Sequence, residues 1–156
     1  MYDLSDLVSP DAVVAGVSAG SKKKLFALLA DLAHAAYGVD PETVAASIAA
    51  RERLGSTGFG GGIAIPHCKI DGLEAVRCVV CRLDRQMDYG AVDDSPVDLV
   101  FMLLSPRSAG AAHLKALARV SRCLRDRSFT AKLRGAGSAD AIYALLTEAG
   151  THDAAA

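Results

Sequence analysis

One segment is apolar at almost every position, and it restricts the fold more than any other part of the chain. It reads Val97-Asp98-Leu99-Val100-Phe101-Met102-Leu103-Leu104. A strand with one face in water alternates apolar and polar residues, whereas a strand covered on both faces carries a nearly continuous apolar run. We therefore predict a central strand here, with another layer of structure packed against each of its faces.

Helical patterns along the chain can supply those layers. Ser21 is a favourable N-cap and Gly38 a favourable stop for a first helix, whose leucines fall on one face. Asp40-Pro41 begins a second helix that runs to about Arg53. Further helices are predicted over 109–124, 128–134 and 138–148, and further strands over 13–17, 63–65 and 76–83. Helices alternating with closely spaced strands predict a single α/β domain with a mixed sheet.

Composition and charge exclude several classes of function. The 156 residues carry a formal net charge of -1 and no Trp, so we expect no basic, aromatic surface for nucleic acid. No apolar run approaches the roughly 20 residues that span a bilayer, so membrane insertion is not expected. The N-terminus lacks a basic segment followed by an apolar one, so we expect no secretory signal and a cytoplasmic location.

The four cysteines do not form a disulfide scaffold in a chain of this size. Cys78 and Cys81 have the spacing of a metal or redox pair, but they lie in the predicted strand 76–83. Side chains three residues apart on a strand point to opposite faces, so these two thiols would not readily share a metal or a disulfide. We predict that both are small core residues, and we expect neither a metal nor a cofactor.

A glycine-rich stretch leads to a histidine and is the strongest candidate for a functional site. It reads Leu54-Gly55-Ser56-Thr57-Gly58-Phe59-Gly60-Gly61-Gly62-Ile63-Ala64-Ile65-Pro66-His67. Glycine lets backbone N–H groups approach an anion closely, and the turn Gly55-Ser56-Thr57-Gly58 adds two hydroxyls. His67 is a nitrogen nucleophile that is largely neutral near pH 7. The stretch lacks the Gly-Lys-Ser/Thr of a P-loop, which disfavours nucleotide binding, while a flexible turn and an exposed loop histidine remain alternatives.

Two more residues could complete such a site. Arg51, like Arg53, closes the second helix just before the glycines, where it could complement the helix C-terminus or reach an anion with its two-pronged guanidinium. His113 lies in the first turn of the helix 109–124, whose positive end disfavours protonation, so it could donate an N–H to an anion or simply face solvent. His34, within the first helix, and His152, near the C-terminus, are expected to be structural or incidental.

Together these residues resemble the signature of the fructose/mannitol-type enzyme IIA domains of the bacterial phosphotransferase system. The resemblance is carried by Arg51-Glu52-Arg53-Leu54-Gly55-Ser56-Thr57-Gly58, Gly62-Ile63-Ala64-Ile65-Pro66-His67, Pro96-Val97-Asp98-Leu99-Val100-Phe101-Met102-Leu103-Leu104-Ser105-Pro106 and His113-Leu114-Lys115-Ala116-Leu117-Ala118. It covers residues 4–148 and implies one α/β domain over that span, with a mixed sheet flanked by helices on both faces. Residues 149–156 would then be a disordered tail. A stand-alone chain whose first helix opens with Ser21-Lys22-Lys23-Lys24 is most similar to the nitrogen-regulatory branch, which mainly regulates other proteins.

The resemblance also implies roles for the candidate residues. His67 would accept a phosphoryl group, through Nε2, from a phosphohistidine on an HPr-like carrier. The family's second active-site histidine maps to His113 and its arginine to Arg51, and the Gly55–Gly58 loop would help hold the transferring oxygens. The residue after the Pro-His motif is often Gly in this family and is Cys68 here, which we interpret as a tolerated small residue rather than a redox control.

Three functions are compatible with these features. The leading prediction is a phosphocarrier, a stoichiometric phosphotransferase intermediate rather than a turnover enzyme, whose phosphorylation regulates partner proteins. A sugar-transport enzyme IIA that passes the phosphoryl group to an enzyme IIB would use identical chemistry on His67, so the site does not separate the two. The third is a binding module that is never phosphorylated, and the presence of His67, Arg51 and His113 together argues against it.

Overall fold

The fold is taken from a computed structural model, which describes residues 2–147. Met1 and residues 148–156 lie outside the described residues, and with them the predicted tail, His152 and the last residue of the predicted C-terminal helix. The strands are β1 (Val13–Val17), β2 (Gly58–Gly60), β3 (Ile63–Ala64), β4 (His67–Ile70), β5 (Arg77–Met87) and β6 (Val97–Pro106). The helices are α1 (Lys22–Tyr37), α2 (Pro41–Arg53), α3 (Ala111–Arg125), α4 (Arg127–Gly135) and α5 (Ala139–Leu146).

The central strand that the apolar run predicts is β6. Every residue from Leu99 to Ser105 is buried. Along one edge β6 pairs antiparallel with β5, and along the other it pairs parallel with β3 and then with β4. The path across the sheet is β1-β5-β6-β3-β2, with β1 parallel to β5 and β2 antiparallel to β3. The predicted mixed sheet is therefore confirmed.

Both faces of the sheet are covered by helices, as the central strand requires. Alternate residues of a strand point to opposite faces. Met102 and Leu104 of β6 pack in a buried cluster with α1 and α2. Phe101 and Leu103 pack in a second cluster with α3, α4 and α5. The predicted α/β architecture, with helices on both faces, is the observed one.

Capping residues fix the ends of the first two helices. The Ser21 hydroxyl accepts a hydrogen bond from the backbone N–H of Lys24, and Gly38 ends α1 in the left-handed conformation with φ of 73°. Asp40 caps α2 by accepting from the N–H of Thr43, with a proline at the first helical position. From this start α2 runs to Arg53, directly before the glycine-rich loop.

Two strands were not predicted, and their sequences explain why. β2 contains two glycines, which weaken a strand, and β4 follows directly after Pro66. Each exists because a neighbour supplies the hydrogen bonds: β3 pairs with β2, and β6 pairs with β4. The other differences are shifts of bounds, since β5 extends to Met87 and α3 begins at Ala111 rather than at residue 109.

Candidate functional site

The two histidines singled out in the sequence lie side by side. His67 is the first residue of β4, which pairs with β6. β6 leads through the turn 107–110 into α3, whose first turn holds His113. The ring centroids are 5.7 Å apart and the ring planes are tilted by 49°. The sheet register and one tight turn thus bring together two residues that are 46 positions apart in the sequence.

A backbone contact fixes the protonation pattern of His67. Its Nδ1 lies 2.9 Å from the carbonyl oxygen of Ile65. A carbonyl oxygen can only accept a hydrogen bond, so Nδ1 must carry the proton. The neutral ring then holds its free lone pair on Nε2. His67 is half-buried rather than on an exposed loop, and the backbone contact determines which ring nitrogen is unprotonated.

Both rings are biased towards the neutral form. Burial lowers the pKa of His67 below its ordinary value of 6.5, and the Arg51 charge lowers it further, while the Ile65 carbonyl and the Glu52 carboxylate act in the opposite direction. Burial also lowers the pKa of His113, with a smaller contribution from His67. The sequence suggested a neutral His113 because of its place at a helix N-terminus, and burial acts in the same direction. Neutral imidazoles can attack phosphorus or donate a single N–H.

A buried serine orients His113. Ser105 Oγ lies 2.6 Å from His113 Nδ1, with Ser105 fully buried and His113 9% exposed. If the ring donated this bond, the serine hydrogen would have no acceptor among residues 2–147, and a buried unsatisfied donor costs about 1–3 kcal/mol. The serine therefore donates, and the ring proton of His113 sits on Nε2. Sequence reasoning missed Ser105, although a polar residue at the end of an apolar run was the available signal.

Arg51 contacts the loop that precedes His67. Its Nη1 donates to the carbonyl oxygen of Gly55 at 2.9 Å, and its charge lowers the pKa of His67. The guanidinium carries five N–H donors, so this bond leaves others for an anion. Arg53 takes a different position: it lines a groove of about 640 Å³ between α1 and α2, together with Lys22 and Lys23.

The loop 55–58 differs from the expected anion cradle. Thr57 is buried, and both its N–H and its hydroxyl donate to the carboxylate of Glu52, at 3.1 and 2.5 Å. Its hydroxyl is therefore not available to hold phosphate oxygens as expected. Gly58 is required for packing, because a Cβ there would lie 2.7 Å from Cβ of Ala91, and its N–H donates to Ser56 Oγ. Within the described residues, Ser56 keeps both an unused N–H and an unused hydroxyl hydrogen.

Comparisons with known proteins show which family the chain belongs to. Residues 6–149 match a protein family described as "Phosphoenolpyruvate-dependent sugar phosphotransferase system, EIIA 2". The chain belongs to this family. The resemblance read from the sequence motifs is thereby confirmed, and the EIIA domain fold accounts for the mixed sheet described above.

Relatives of this EIIA domain include regulatory and sugar-specific proteins. It is 45% identical over 143 residues to a "Nitrogen regulatory protein" of Bradyrhizobium diazoefficiens, covering 92% of this chain and 94% of that protein. It is 32% identical over 147 residues to a "PTS system fructose-specific EIIA component" of Haloferax volcanii, covering 94% and 96% respectively. The solved structure of the nitrogen regulatory protein IIA-Ntr from Neisseria meningitidis superposes with a TM-score of 0.85 at 31% identity, covering 92% of this chain and 99% of that one.

The remaining sequence-based expectations concern the cysteines of the EIIA domain. Cys78 packs in the cluster with α3, α4 and α5, and Cys81 in the cluster with α1 and α2. The prediction that these thiols point to opposite faces is confirmed. Burial raises the pKa of Cys68, beside His67, to about 12, which disfavours the reactive thiolate. Cys68 is half-buried and packs against the apolar cluster that includes α1 and α2.

Two further expectations concern histidine and membrane insertion. His34 Nδ1 contacts the carbonyl oxygen of Val39 at 3.0 Å, at the end of its own helix, which is a structural contact. Over residues 2–147, no helix has both the length and the apolar character needed to cross a bilayer.

Proposed function

We propose that this EIIA domain accepts a phosphoryl group on Nε2 of His67 from the phosphohistidine of an HPr-like carrier. The observation that carries the proposal is the bond between His67 Nδ1 and the Ile65 carbonyl, which leaves Nε2 with the free lone pair. The proposed unit spans residues 4–148, the extent over which the motifs resemble the family.

The transfer needs no general base. The Nε2 lone pair attacks phosphorus in line, a new N–P bond forms, and the N–P bond to the carrier's histidine breaks. The electron pair of that broken bond returns to the carrier's imidazole. The proton on Nδ1 of His67 stays in place, and its bond to the Ile65 carbonyl strengthens as the ring gains positive character.

Three groups are suited to the charge that moves with the phosphoryl group. His113 offers Nε2–H, because Ser105 occupies its other nitrogen. Arg51 offers the guanidinium N–H groups that its bond to Gly55 leaves free. Ser56 offers its N–H and hydroxyl. Phosphoryl transfer depends chiefly on positioning and on electrostatic stabilisation, and fixed donors around a nucleophile provide both.

Labelling with the phosphorylated carrier tests this proposal. Wild-type chain should gain one acid-labile, base-stable phosphoryl group, which tandem mass spectrometry should assign to His67. His67→Ala should not be labelled, whereas the matched control His34→Ala should be labelled as well as wild type. Equal labelling of His67→Ala and wild type would contradict the proposal.

We further propose that phosphorylation regulates partner proteins. The added phosphoryl group brings negative charge to a half-buried site between β4 and α3, so a partner that covers this site must bind the two forms with different affinity. Affinity capture with both forms should therefore recover different partners. Identical recovery would contradict a regulatory role while leaving phosphorylation itself untouched.

A second function is favoured by the fructose-specific relative, which matches over nearly the whole chain. In that case the phosphoryl group would pass onward from His67 to an enzyme IIB. Mixing the phosphorylated chain with purified enzyme IIB domains of the fructose and mannitol type distinguishes the two functions. Rapid transfer to one of them would support sugar transport, whereas a phosphorylated chain that stays loaded would support regulation.

A further inference from the structure

Glu52 is an acidic side chain buried beside a site that is built for anions. It lies in the last turn of α2, next to Arg51, and its side chain is only 7% exposed. Lys22 Nζ donates to its carboxylate at 2.6 Å. Thr57 donates twice, through its N–H at 3.1 Å and its hydroxyl at 2.5 Å, and the Tyr89 hydroxyl lies at 3.3 Å.

This placement is unfavourable unless the contacts compensate for it. A helix C-terminus disfavours a carboxylate, and burial disfavours the charged form. Burial by itself would raise the pKa of Glu52, but the bonds from Lys22 and Thr57 lower it below its ordinary value. The carboxylate is therefore ionised and held rigidly by residues from α1 and from the loop.

Arg51 and Glu52, adjacent residues in the last turn of α2, hold the loop 55–57 at both ends. Arg51 binds the carbonyl oxygen of Gly55, and Glu52 binds both donors of Thr57. Ser56 lies between these two fixed residues, and its own donors are unused within residues 2–147. Tyr89 supports the arrangement by hydrogen bonding to the Thr57 hydroxyl at 2.8 Å.

We infer that Glu52, itself held by Lys22, is a positioning residue that fixes Thr57 and thereby presents Ser56 and Arg51 to a phosphoryl group on His67. This inference rests on the function proposed above. Glu52 does not touch the transferred group. It acts through the loop, and it adds a negative charge that Lys22 offsets.

The charge of Glu52 gives the inference a signature that a purely structural contact would not have. The Glu52 carboxylate raises the pKa of His67, and the Arg51 guanidinium lowers it. The other groups near the two rings are Lys69, whose charge lowers the pKa of His113, and His113 itself. Removing Glu52 or Arg51 should therefore shift the His67 titration in opposite directions.

The decisive variant is Glu52→Gln, which keeps the shape of the side chain but loses the charge and the Lys22 ion pair. Its matched control is Glu42→Gln, which removes an exposed carboxylate from the first turn of the same helix. Three quantities are measured: the rate of phosphoryl transfer from the phosphorylated carrier, the hydrogen exchange of the Thr57 amide, and the pKa of His67 by NMR.

In Glu52→Gln we expect a roughly 10- to 100-fold slower transfer, because a small misplacement of positioning groups has effects of this size. The Thr57 amide should exchange faster, and the pKa of His67 should fall. Arg51→Gln should raise the pKa of His67, and Glu42→Gln should change none of the three quantities. If Glu52→Gln matches Glu42→Gln in transfer rate and in His67 pKa, the inference is overturned even where phosphorylation of wild type succeeds.

A second pair of variants covers the case in which Glu52→Gln fails to fold. Lys22→Met breaks the ion pair with Glu52 by changing the partner that is partly exposed. Its control is Lys24→Met, which removes an exposed lysine two positions further along α1. We expect several-fold slower transfer in the first and none in the second, and equal rates would overturn the inference. If wild type itself accepts no phosphoryl group, the proposed function fails, while the Thr57 exchange and the His67 titration still decide whether Glu52 holds the loop.

Discussion

The bond between Ser105 and His113 supports a quantitative prediction. Ser105→Ala removes the only hydroxyl that reaches His113 Nδ1 within the described residues. Because Ser105 is fully buried and His113 is 9% exposed, water does not readily replace that donor. An unsatisfied buried nitrogen costs about 1–3 kcal/mol of unfolding free energy. For a domain of this size, that corresponds to a fall of roughly 2–12 °C in Tm.

A double-mutant cycle separates the hydrogen bond from other effects of the substitution. Unfolding free energies are measured by urea denaturation for wild type, Ser105→Ala, His113→Phe and the double variant. In the His113→Phe background the serine hydroxyl has lost its partner, so removing it should cost almost nothing. The control Thr130→Val removes a buried hydroxyl that donates to a helix carbonyl away from the two histidines.

The same substitution should affect the tautomer of His113. Nitrogen-15 spectra of wild type should show the proton of His113 on Nε2, and Ser105→Ala should increase the population with the proton on Nδ1. Phosphoryl transfer should slow with that change, since Nε2 of His113 would no longer carry a proton to donate. The reasoning is refuted if the cycle gives no coupling between the two residues and the tautomer is unchanged in Ser105→Ala.

The remaining predictions concern pH, the arginine and a thiol. Folding lowers the pKa values of His67 and His113. The stabilisation that comes from keeping the two rings neutral is therefore full above about pH 6.5, and it is lost as the pH falls through the folded pKa values, by at most about 1.4 kcal/mol per pH unit for each ring. Urea denaturation at several pH values should show a weaker dependence of unfolding free energy on pH in the double variant His67→Gln/His113→Gln than in wild type. Arg51→Lys keeps the charge but loses the two-pronged geometry, and a quench-flow assay should give roughly 10- to 100-fold slower transfer. Cys68, with its pKa raised to about 12, should react with iodoacetamide at pH 8 roughly 100-fold more slowly in the folded than in the urea-unfolded chain, as mapped by mass spectrometry.

Much of the fold could be predicted because its main elements carry their own signals. The apolar run of β6 indicated a strand covered on both faces, and the caps Ser21 and Asp40 fixed where α1 and α2 begin. β2 and β4 carry no such signal. Their residues form strands only because β3 and β6 lie beside them, and pairing between distant parts of a chain is not encoded in a local pattern.

The sequence identified the main candidate residues of the site but not the residues that hold them in place. His67, His113 and Arg51 were recognised from motif residues, and the structure brings the two rings together. The roles of Ser105 and Glu52 depend on which atoms they face in three dimensions. For the same reason, the sequence suggested that the Thr57 hydroxyl is free, whereas a carboxylate five residues earlier takes it.

The end of α2 explains why the loop holds its shape despite two glycines. Successive residues on a helix point about 100° apart, so Arg51 and Glu52 leave the same turn in different directions. One reaches the Gly55 carbonyl, and the other reaches Thr57 and the Lys22 ammonium. Their charges act in opposite directions on the pKa of His67, and burial, the larger cause, is what favours the neutral ring. A loop fixed by two oppositely charged neighbours can therefore receive an anion with little rearrangement, because its order does not depend on the anion being present.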